Sequence, residues 1–426
     1  MAKVRMGFIG VGNRGTLLMN NFRNNEDCEV VALCDVYKPY LTRNPDDIDP
    51  EYRQIGKVPK MGEDLGNVVT YTDYRELLAD KHVDAVCIAT PDHWHAIQTI
   101  DAFRAGKDVF VEKPLTITIR EGRRMVEVQK ETDRIAGVCL NRRGSSVYRK
   151  MADEIHGGKI GDVKAAYAAH NSVMFPDGIG KQEAADPPAN LDWDKWVGPR
   201  PMRPYQYNIA PYFFRWWSDF SSQMGNWGVH YMDVIRWMTD QVGPVGITAV
   251  GSKTSIHDDR SIPDTMAVLF EMPSGMIIHF DINEASGANR FKGGEVMLCG
   301  TKGTLTVDQN KYAIYPTWPG QFQNWEPMIE EESGEVGGDA AYGDLGIKED
   351  STQNLIDDFI ECVQTRTQPL CPLEEGHRST TFAHLANISL QLGKRIEWDP
   401  QAEKITNIPE ANDLLHYEYR DGYSLE

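Results

Sequence analysis

Gly10-Val11-Gly12-Asn13-Arg14-Gly15 decides the fold of this chain. The run stands between an apolar segment, Val4 to Ile9, and a helical pattern, Thr16 to Asn24. A second apolar segment, Glu29 to Cys34, follows and ends in Asp35. Strand, glycine turn, helix, strand and acid, in that order, make up the dinucleotide-binding arrangement. The first glycine permits a tight turn, the second lets the backbone approach a pyrophosphate, and the third lets helix and strand pack closely. The run opens the helix, whose N-terminus offers free N–H groups and a positive dipole end to the phosphates. Gly10, Gly12, Asn13, Arg14 and Gly15 are therefore cofactor-contact candidates. Asp35 lies about twenty residues past the last glycine, where a carboxylate accepts hydrogen bonds from a ribose diol. It would repel a 2′-phosphate, which favours NAD over NADP.

Composition narrows the partners. The 426 residues carry a net charge of −19, so the chain lacks the basic surface that nucleic acid or an anionic membrane requires. Length points to two domains or one large α/β unit. The seven cysteines are scattered, odd in number and free of any C-x-x-C pair. They predict a reducing compartment, with no disulfide framework and no metal site. The N-terminus enters a strand by Val4, leaving no room for a secretory signal, and no apolar run reaches membrane-spanning length. A cytoplasmic protein is expected.

Residues 1–142 alternate between strand and helix patterns: Val83 to Ala89, Ile97 to Ala105, Lys107 to Val111, Arg120 to Glu131 and Ile135 to Leu140. That alternation predicts a doubly wound parallel sheet. Lys38 to Asn67, polar and rich in Pro, Asp and Gly, reads as an inserted loop beside the adenosine side. Residues 143–426 form the second expected domain. A helix, Val147 to Glu154, and a strand, Val163 to His170, lead into an aromatic stretch from Val173 to Ser222. A helix at Gly228 to Met238 precedes five strands without intervening helices, from Gly246 to Asp308. Tight turns between them indicate a large, mainly antiparallel sheet. Glu326 to Asp350 reads as an exposed acidic loop, and Ser351 to Thr365 and Glu375 to Gly393 as closing helices that can pack back on the first domain. The fold class is α/β, a Rossmann domain followed by an α/β domain.

Four further motifs stand in order along the chain. They are Ala89-Thr90-Pro91 with His93 and His95, Glu112-Lys113-Pro114, Gly225 through Asp233, and Glu375-Gly376-His377-Arg378-Ser379. With the glycine run they resemble the Gfo/Idh/MocA family of NAD(P)-dependent oxidoreductases, the last motif pointing to its sugar-active bacterial branches. The resemblance implies a second domain whose open sheet serves as an oligomer interface, so a homodimer or homotetramer is expected. It also implies that Thr90, Pro91, His93, His95, Glu112 and Asn141 contact cofactor, and that Arg142 lies by cofactor or substrate.

Lys113 follows a buried strand at the carboxyl edge of the sheet, where ligands bind in such folds. Beside an oxidised nicotinamide, charge repulsion and burial both disfavour its ammonium, and a lowered pKa suits proton transfer. His230 opens a helix and Asp233 lies one turn on. His230 is a second proton-handling candidate, or else a buried histidine satisfied by Asp233. In the family this helix carries an Asp four residues before the His; here that place holds Asn226, an amide that positions a hydroxyl but takes no proton. Arg142, Arg215, Asn226, His230 and Asp233 are the substrate-side candidates, with Asp219 a weaker one. His93 and His95 lack the companions of a metal site and read as nicotinamide contacts or a helix start. The aromatics from Tyr205 to Trp217 either stack on a sugar or pack an interface. The leading expectation is an NAD-dependent oxidoreductase acting on a hydroxyl of a sugar, glycoside or polyol. The alternatives are a redox-cycling glycosidase of the same family and a non-enzymatic NAD-binding sensor.

Overall fold

The computed structural model describes residues 2–63, 65–287, 294–320, 322, 325–335 and 349–426. Six parallel strands form the first sheet: β1 (Val4–Ile9), β2 (Cys28–Cys34), β3 (Val69–Tyr71), β4 (Ala85–Ile88), β5 (Asp108–Glu112) and β6 (Ala136–Cys139). Their spatial order is β3-β2-β1-β4-β5-β6. The order reverses between β1 and β4, and a crevice opens there at the carboxyl ends of the strands. Central β4 and β5 are buried along their whole length, as strands covered by helices on both faces must be. Each motif in the first half of the chain ends up on one edge: the glycine turn after β1, Asp35 after β2, Thr90 and Pro91 after β4, and Lys113 after β5.

The second sheet contains β7 (Val163–Asn171), β8 (Gly246–Ser252), β9 (Thr265–Glu271), β10 (Ile277–Asn283), β11 (Val296–Gly300), β12 (Gly303–Val307), β13 (Lys311–Pro316), β14 (Glu332–Glu335), β15 (Ile396–Asp399) and β16 (Lys404–Ile405). The order is β14-β13-β12-β11-β7-β10-β9-β8-β15-β16, antiparallel except for the β7–β10 pair. Alternation along β9 sends Met266, Val268 and Phe270 inward, where Phe270 meets Phe382 with ring centroids 5.1 Å apart. Two helices, Val229–Met238 and Leu373–Leu392, cover that inner face. The outer face keeps Val250, Leu269 and Ile277 exposed.

The helix Ser351–Thr365 leaves the second sheet and seals the first. Its Leu355, Ile356, Phe359 and Ile360 join the core of the N-terminal sheet, and Phe359 packs 5.3 Å from Phe110 and 6.3 Å from Phe22. Several expectations are corrected. Lys38 to Asn67 is not simply a loop: it folds into helices Lys38–Thr42 and Pro50–Ile55, whose Tyr40 and Tyr52 are buried. Asp49 caps the second of these by accepting from the Glu51 N–H, with Pro50 at its first position. Within Glu326 to Asp350, Glu332–Glu335 pairs with β13, and residues 336–348 lie outside the described residues. The aromatic stretch is mostly core: Trp193 stacks on Trp196 at 4.8 Å, and Trp196 meets Phe220 edge-on. No helix among the described residues is long and apolar enough to cross a membrane.

Because Phe359 ties the chain's last third to the first sheet, Phe359→Ala is expected to cost about 3–5 kcal/mol of unfolding free energy. Guanidinium denaturation measures it; a loss well under 1 kcal/mol would mean that this helix docks without holding the domain.

Candidate active site

The glycine turn is built by backbone contact. Gly10 has φ +83°, and a Cβ there would sit 2.8 Å from the Thr90 backbone nitrogen. A Cβ at Gly15 would sit 1.9 Å from the Gly10 carbonyl oxygen. Helix Asn13–Arg23 therefore presses directly onto the turn and points its N-terminus at the crevice. A groove of about 1080 Å³, open mouth included, runs from this turn past Asp35, Tyr40, Tyr52, Thr90 and Pro91 to Tyr212 and Arg215. Asp35 accepts from the Val11 N–H at 2.8 Å and the Tyr37 N–H at 2.9 Å. A carboxylate has about four acceptor positions, so two remain for a ribose diol. Burial pushes Asp35 up to about 6, against the pull of its backbone donors. A turn that admits no side chain, a helix start and a half-satisfied carboxylate fit a dinucleotide.

Further along the edge, Arg14, which also lines the groove, donates to Glu112 at 2.5 Å and to the Cys139 sulfur at 3.3 Å. Glu112 also accepts from the Lys113 backbone N–H. Burial works against its charge, but Arg14 and Lys113 outweigh burial and hold it below the usual carboxylate range. Glu112, expected among the cofactor contacts, anchors Arg14 and the Lys113 turn.

Lys113 Nζ donates to Asn226 twice, to the backbone oxygen at 2.8 Å and to Oδ1 at 2.9 Å. Asn226 sits in a single π-turn, Met224–Gly228, that precedes helix Val229–Met238; such turns interrupt helices at functional sites. Burial brings Lys113 down to about 8, with Glu112 opposing and Arg215 assisting. His230 is 8% exposed, and its Nδ1 is buried without a hydrogen-bond partner. Burial first, then Arg142 and Lys113, hold it well below its ordinary pKa, so its ring is neutral.

Three groups at this edge escaped the sequence reading. His170, at the end of β7, stacks on Trp227 at 4.4 Å and has a buried, unpartnered Nε2. Burial brings it to about 4, and Lys113 adds to the effect. Asp92 is buried, accepts from Ser221 Oγ and is raised by burial. Gln223 lies one turn before Asn226 and donates to buried Glu284. Only the position of Asp92 within a Pro-Asp-His run could have flagged it.

Other candidates fall elsewhere. His93 is 1% exposed and bonds the Trp196 carbonyl oxygen, so it belongs to the aromatic core. His95 bridges the carbonyl oxygens of Thr90 and Pro114, tying two edge turns together. Asn141 begins a 3₁₀ turn after β6 and keeps a buried, unpartnered Oδ1. Arg142 is spent on Glu295 through two 2.8 Å bonds. Arg215 lines the groove, bonding the Tyr212 oxygen and lying over the Tyr212 and Phe214 rings. Asp219 pairs with Arg203 at 2.9 Å. Asp233 requires correction: it is fully buried and turned to Arg143 and Ser379, so it neither supports His230 nor faces the crevice. Among the described residues no three His, Cys, Asp or Glu side chains converge as a metal site.

The groove carries its own test. Gly15→Ala is expected to abolish NAD binding in calorimetry, since the new methyl displaces the turn. Asp35→Asn should weaken NAD about 10- to 100-fold, the worth of hydrogen bonds to a charged acceptor. In the wild type, affinity should be full above pH 6 and fall as the pH drops through about 6, where the Asp35 carboxylate gains its proton and loses acceptor capacity. Asp35→Asn should flatten that dependence; an unchanged pH profile would remove Asp35 from the contact.

Comparison with known proteins agrees with this geometry. The profile described as "Oxidoreductase family, NAD-binding Rossmann fold" matches residues 4–140. "GFO/IDH/MocA C-terminal domain" matches 148–306, and "Oxidoreductase family, C-terminal alpha/beta domain" matches 347–425. An α-N-acetylgalactosaminidase of Shewanella oneidensis is 37% identical over 134 residues, 32% of this chain. The match spans 28% of that relative's length. Among solved structures, a levoglucosan dehydrogenase in complex with NADH and L-sorbose superposes with TM-score 0.67 at 16% identity, over 93% of this chain and 99% of the other. An aldose–aldose oxidoreductase of Caulobacter crescentus superposes with TM-score 0.61 at 17% identity, over 93% and 99%. At these identities the structures share a fold. With three consecutive family profiles matched along its length, the chain belongs to the Gfo/Idh/MocA oxidoreductase family and carries an NAD-binding Rossmann domain.

Proposed function

We propose that this oxidoreductase uses NAD to oxidise a hydroxyl, or reduce the matching ketone, of a sugar, glycoside or polyol, with Lys113 handling the hydroxyl proton. The observation that supports it most is Lys113 itself. Its amine stands at the carboxyl edge, brought to about 8 by burial and bonded to both oxygens of Asn226. When bound, NAD supplies hydride acceptance at the nicotinamide ring. The neutral Lys113 amine accepts the proton of a substrate hydroxyl. Asn226 holds the ammonium that results, because both of its oxygens already face the Nζ. His230 and His170, both neutral, offer ring nitrogens for neighbouring hydroxyls. A histidine held that far below its ordinary pKa is a poor base, so the proton goes to Lys113 rather than His230. Asp35 favours NAD over NADP.

A second reading has a specific observation in its favour, the 37% identity over 134 residues to an α-N-acetylgalactosaminidase. In a redox-cycling glycosidase, transient oxidation of a hydroxyl to a ketone would acidify a neighbouring C–H, the aglycone would be eliminated, water would add to the unsaturated ketone, and return of the hydride to the ketone would restore NAD. The outer face of the second sheet, with Val250, Leu269 and Ile277 exposed, suits a second copy of the chain. Seven unpaired cysteines suit a reducing cytoplasm.

The test follows NADH absorbance and aglycone release in parallel against sugars, polyols and glycosides. Stoichiometric NADH supports the dehydrogenase, and aglycone release without net NADH supports the glycosidase. Silence in both channels with NAD bound supports a sensor. Lys113→Met should reduce turnover at least about 100-fold while NAD affinity stays within a few-fold. Oxidation by the wild type should rise with pH through about 8 as the amine loses its proton; undiminished turnover in Lys113→Met would refute the assignment.

A further inference from the structure

Behind Asn226 lies a chain of hydrogen bonds that ends on a buried carboxylate. Asn226 Nδ2 donates to Gln223 Oε1 at 3.2 Å, and Gln223 Nε2 donates to Glu284 Oε1 at 2.7 Å. Glu284 directly follows β10, is fully buried, and accepts from the Trp216 indole N–H and from Arg260. Arg260 in turn grips Asp258 through its Nε, at 3.0 and 2.9 Å. Arg260 and Asp258 are buried as well. Lys253 also meets Asp258, at 3.5 Å, so each carboxylate has a cation, and Glu284 keeps Oε1 turned to Gln223.

A chain of two side-chain amides has only two polarities, and here both ends demand the same one. An ammonium can only donate, so Asn226 must turn Oδ1 to Lys113 and its NH₂ to Gln223. Burial raises Glu284 to about 7 against the pull of Arg260 and the Trp216 N–H, so above that pH it is an ionised carboxylate that can only accept, and Gln223 must turn its NH₂ to Glu284 and its oxygen to Asn226. The second requirement reaches the lysine through side chains 61 residues apart in sequence.

Building on the reading of Lys113 as the proton-handling group, we propose that Glu284 is a positioning residue. Through Gln223 it fixes the orientation of the Asn226 amide and so keeps an acceptor on the Lys113 Nζ.

Other charged or titratable groups act on Lys113 or respond to it: Glu112, Asp92, Arg215, Arg14, His170 and His230. All of them stay in place in the variants that follow. The readout is the pH dependence of Lys113 acylation by acetic anhydride in the folded, cofactor-free protein, followed by mass spectrometry of the Lys113 peptide. In Glu284→Gln the new amide keeps its oxygen on Arg260 and Trp216 and turns its NH₂ to Gln223. The chain reverses, and Asn226 presents NH₂ to Lys113. The acylation midpoint should fall by about one pH unit, so that below it the free amine is about ten-fold more abundant. In the double variant Glu284→Gln with Gln223→Glu, carboxylate and amide trade places, the polarity is restored, and the midpoint should return to the wild-type value or above. Gln223→Glu alone leaves the Arg260 and Trp216 contacts intact and should raise the midpoint.

A role confined to holding Arg260 would lower the unfolding temperature of both Glu284 variants without moving the midpoint. An unmoved midpoint in Glu284→Gln overturns the proposal, as does failure of the double variant to restore it. If Glu284→Gln does not fold, an unmoved midpoint in Gln223→Glu does the same. Should the midpoint shift as expected while Lys113→Met keeps its turnover, the positioning holds and the catalytic reading of Lys113 fails.

Discussion

A methyl group at residue 15 would lie 1.9 Å from the Gly10 carbonyl oxygen, and the cofactor side of the molecule is arranged around that contact. Because no side chain intervenes, helix Asn13–Arg23 sits directly on the turn after β1. The same closeness brings the Val11 N–H onto Asp35, which orients a carboxylate with acceptor capacity to spare. It also lets Arg14 reach across to Glu112 at the end of β5. The cofactor groove and the Lys113 turn are thus joined by one ion pair, and a shift of the helix would disturb both.

The chemistry end follows a different constraint, the cost of burying charge. Lys113 is surrounded by groups that favour its charge, Glu112 and Asp92, and groups that oppose it, Arg215 and Arg14, while burial favours the neutral amine. The balance leaves an amine near 8 that still finds two acceptors on Asn226. His170 and His230 stay neutral in the same field. Away from the crevice the buried charges are paired off: Asp233 with Arg143, Arg142 with Glu295, and Arg260 with Asp258 and Glu284. Lys113 has the amide of Asn226, and no carboxylate among the described residues, as its direct partner.

What was legible in the sequence was local. The glycine turn, β1, β2 and the Asp35 position follow from short-range periodicity and spacing, and Lys113 from its place after a buried strand. The helices within 38–67 carried a signal, Asp49-Pro50 with Tyr52 behind it, that polar composition masked. Asp233 was misread because helical spacing shows which residues share a face and not what packs against that face; Arg143, ninety residues away in sequence, claims it. Glu284 and His170 look like ordinary strand-end residues, and their significance appears only when β7, β10 and the Met224–Gly228 turn meet behind Lys113. Each role depends on a partner far away in sequence, which no local pattern records.

The most direct test is a crystal structure of the protein with NAD and a bound polyol or sugar. The pyrophosphate should lie on the N-terminus of helix Asn13–Arg23, the ribose diol on Asp35, and Lys113 Nζ about 2.6–3.2 Å from the hydroxyl whose carbon faces the nicotinamide ring. A cofactor bound there with its nicotinamide turned away from Lys113 and Asn226, and the substrate hydroxyl on another base, would contradict the account.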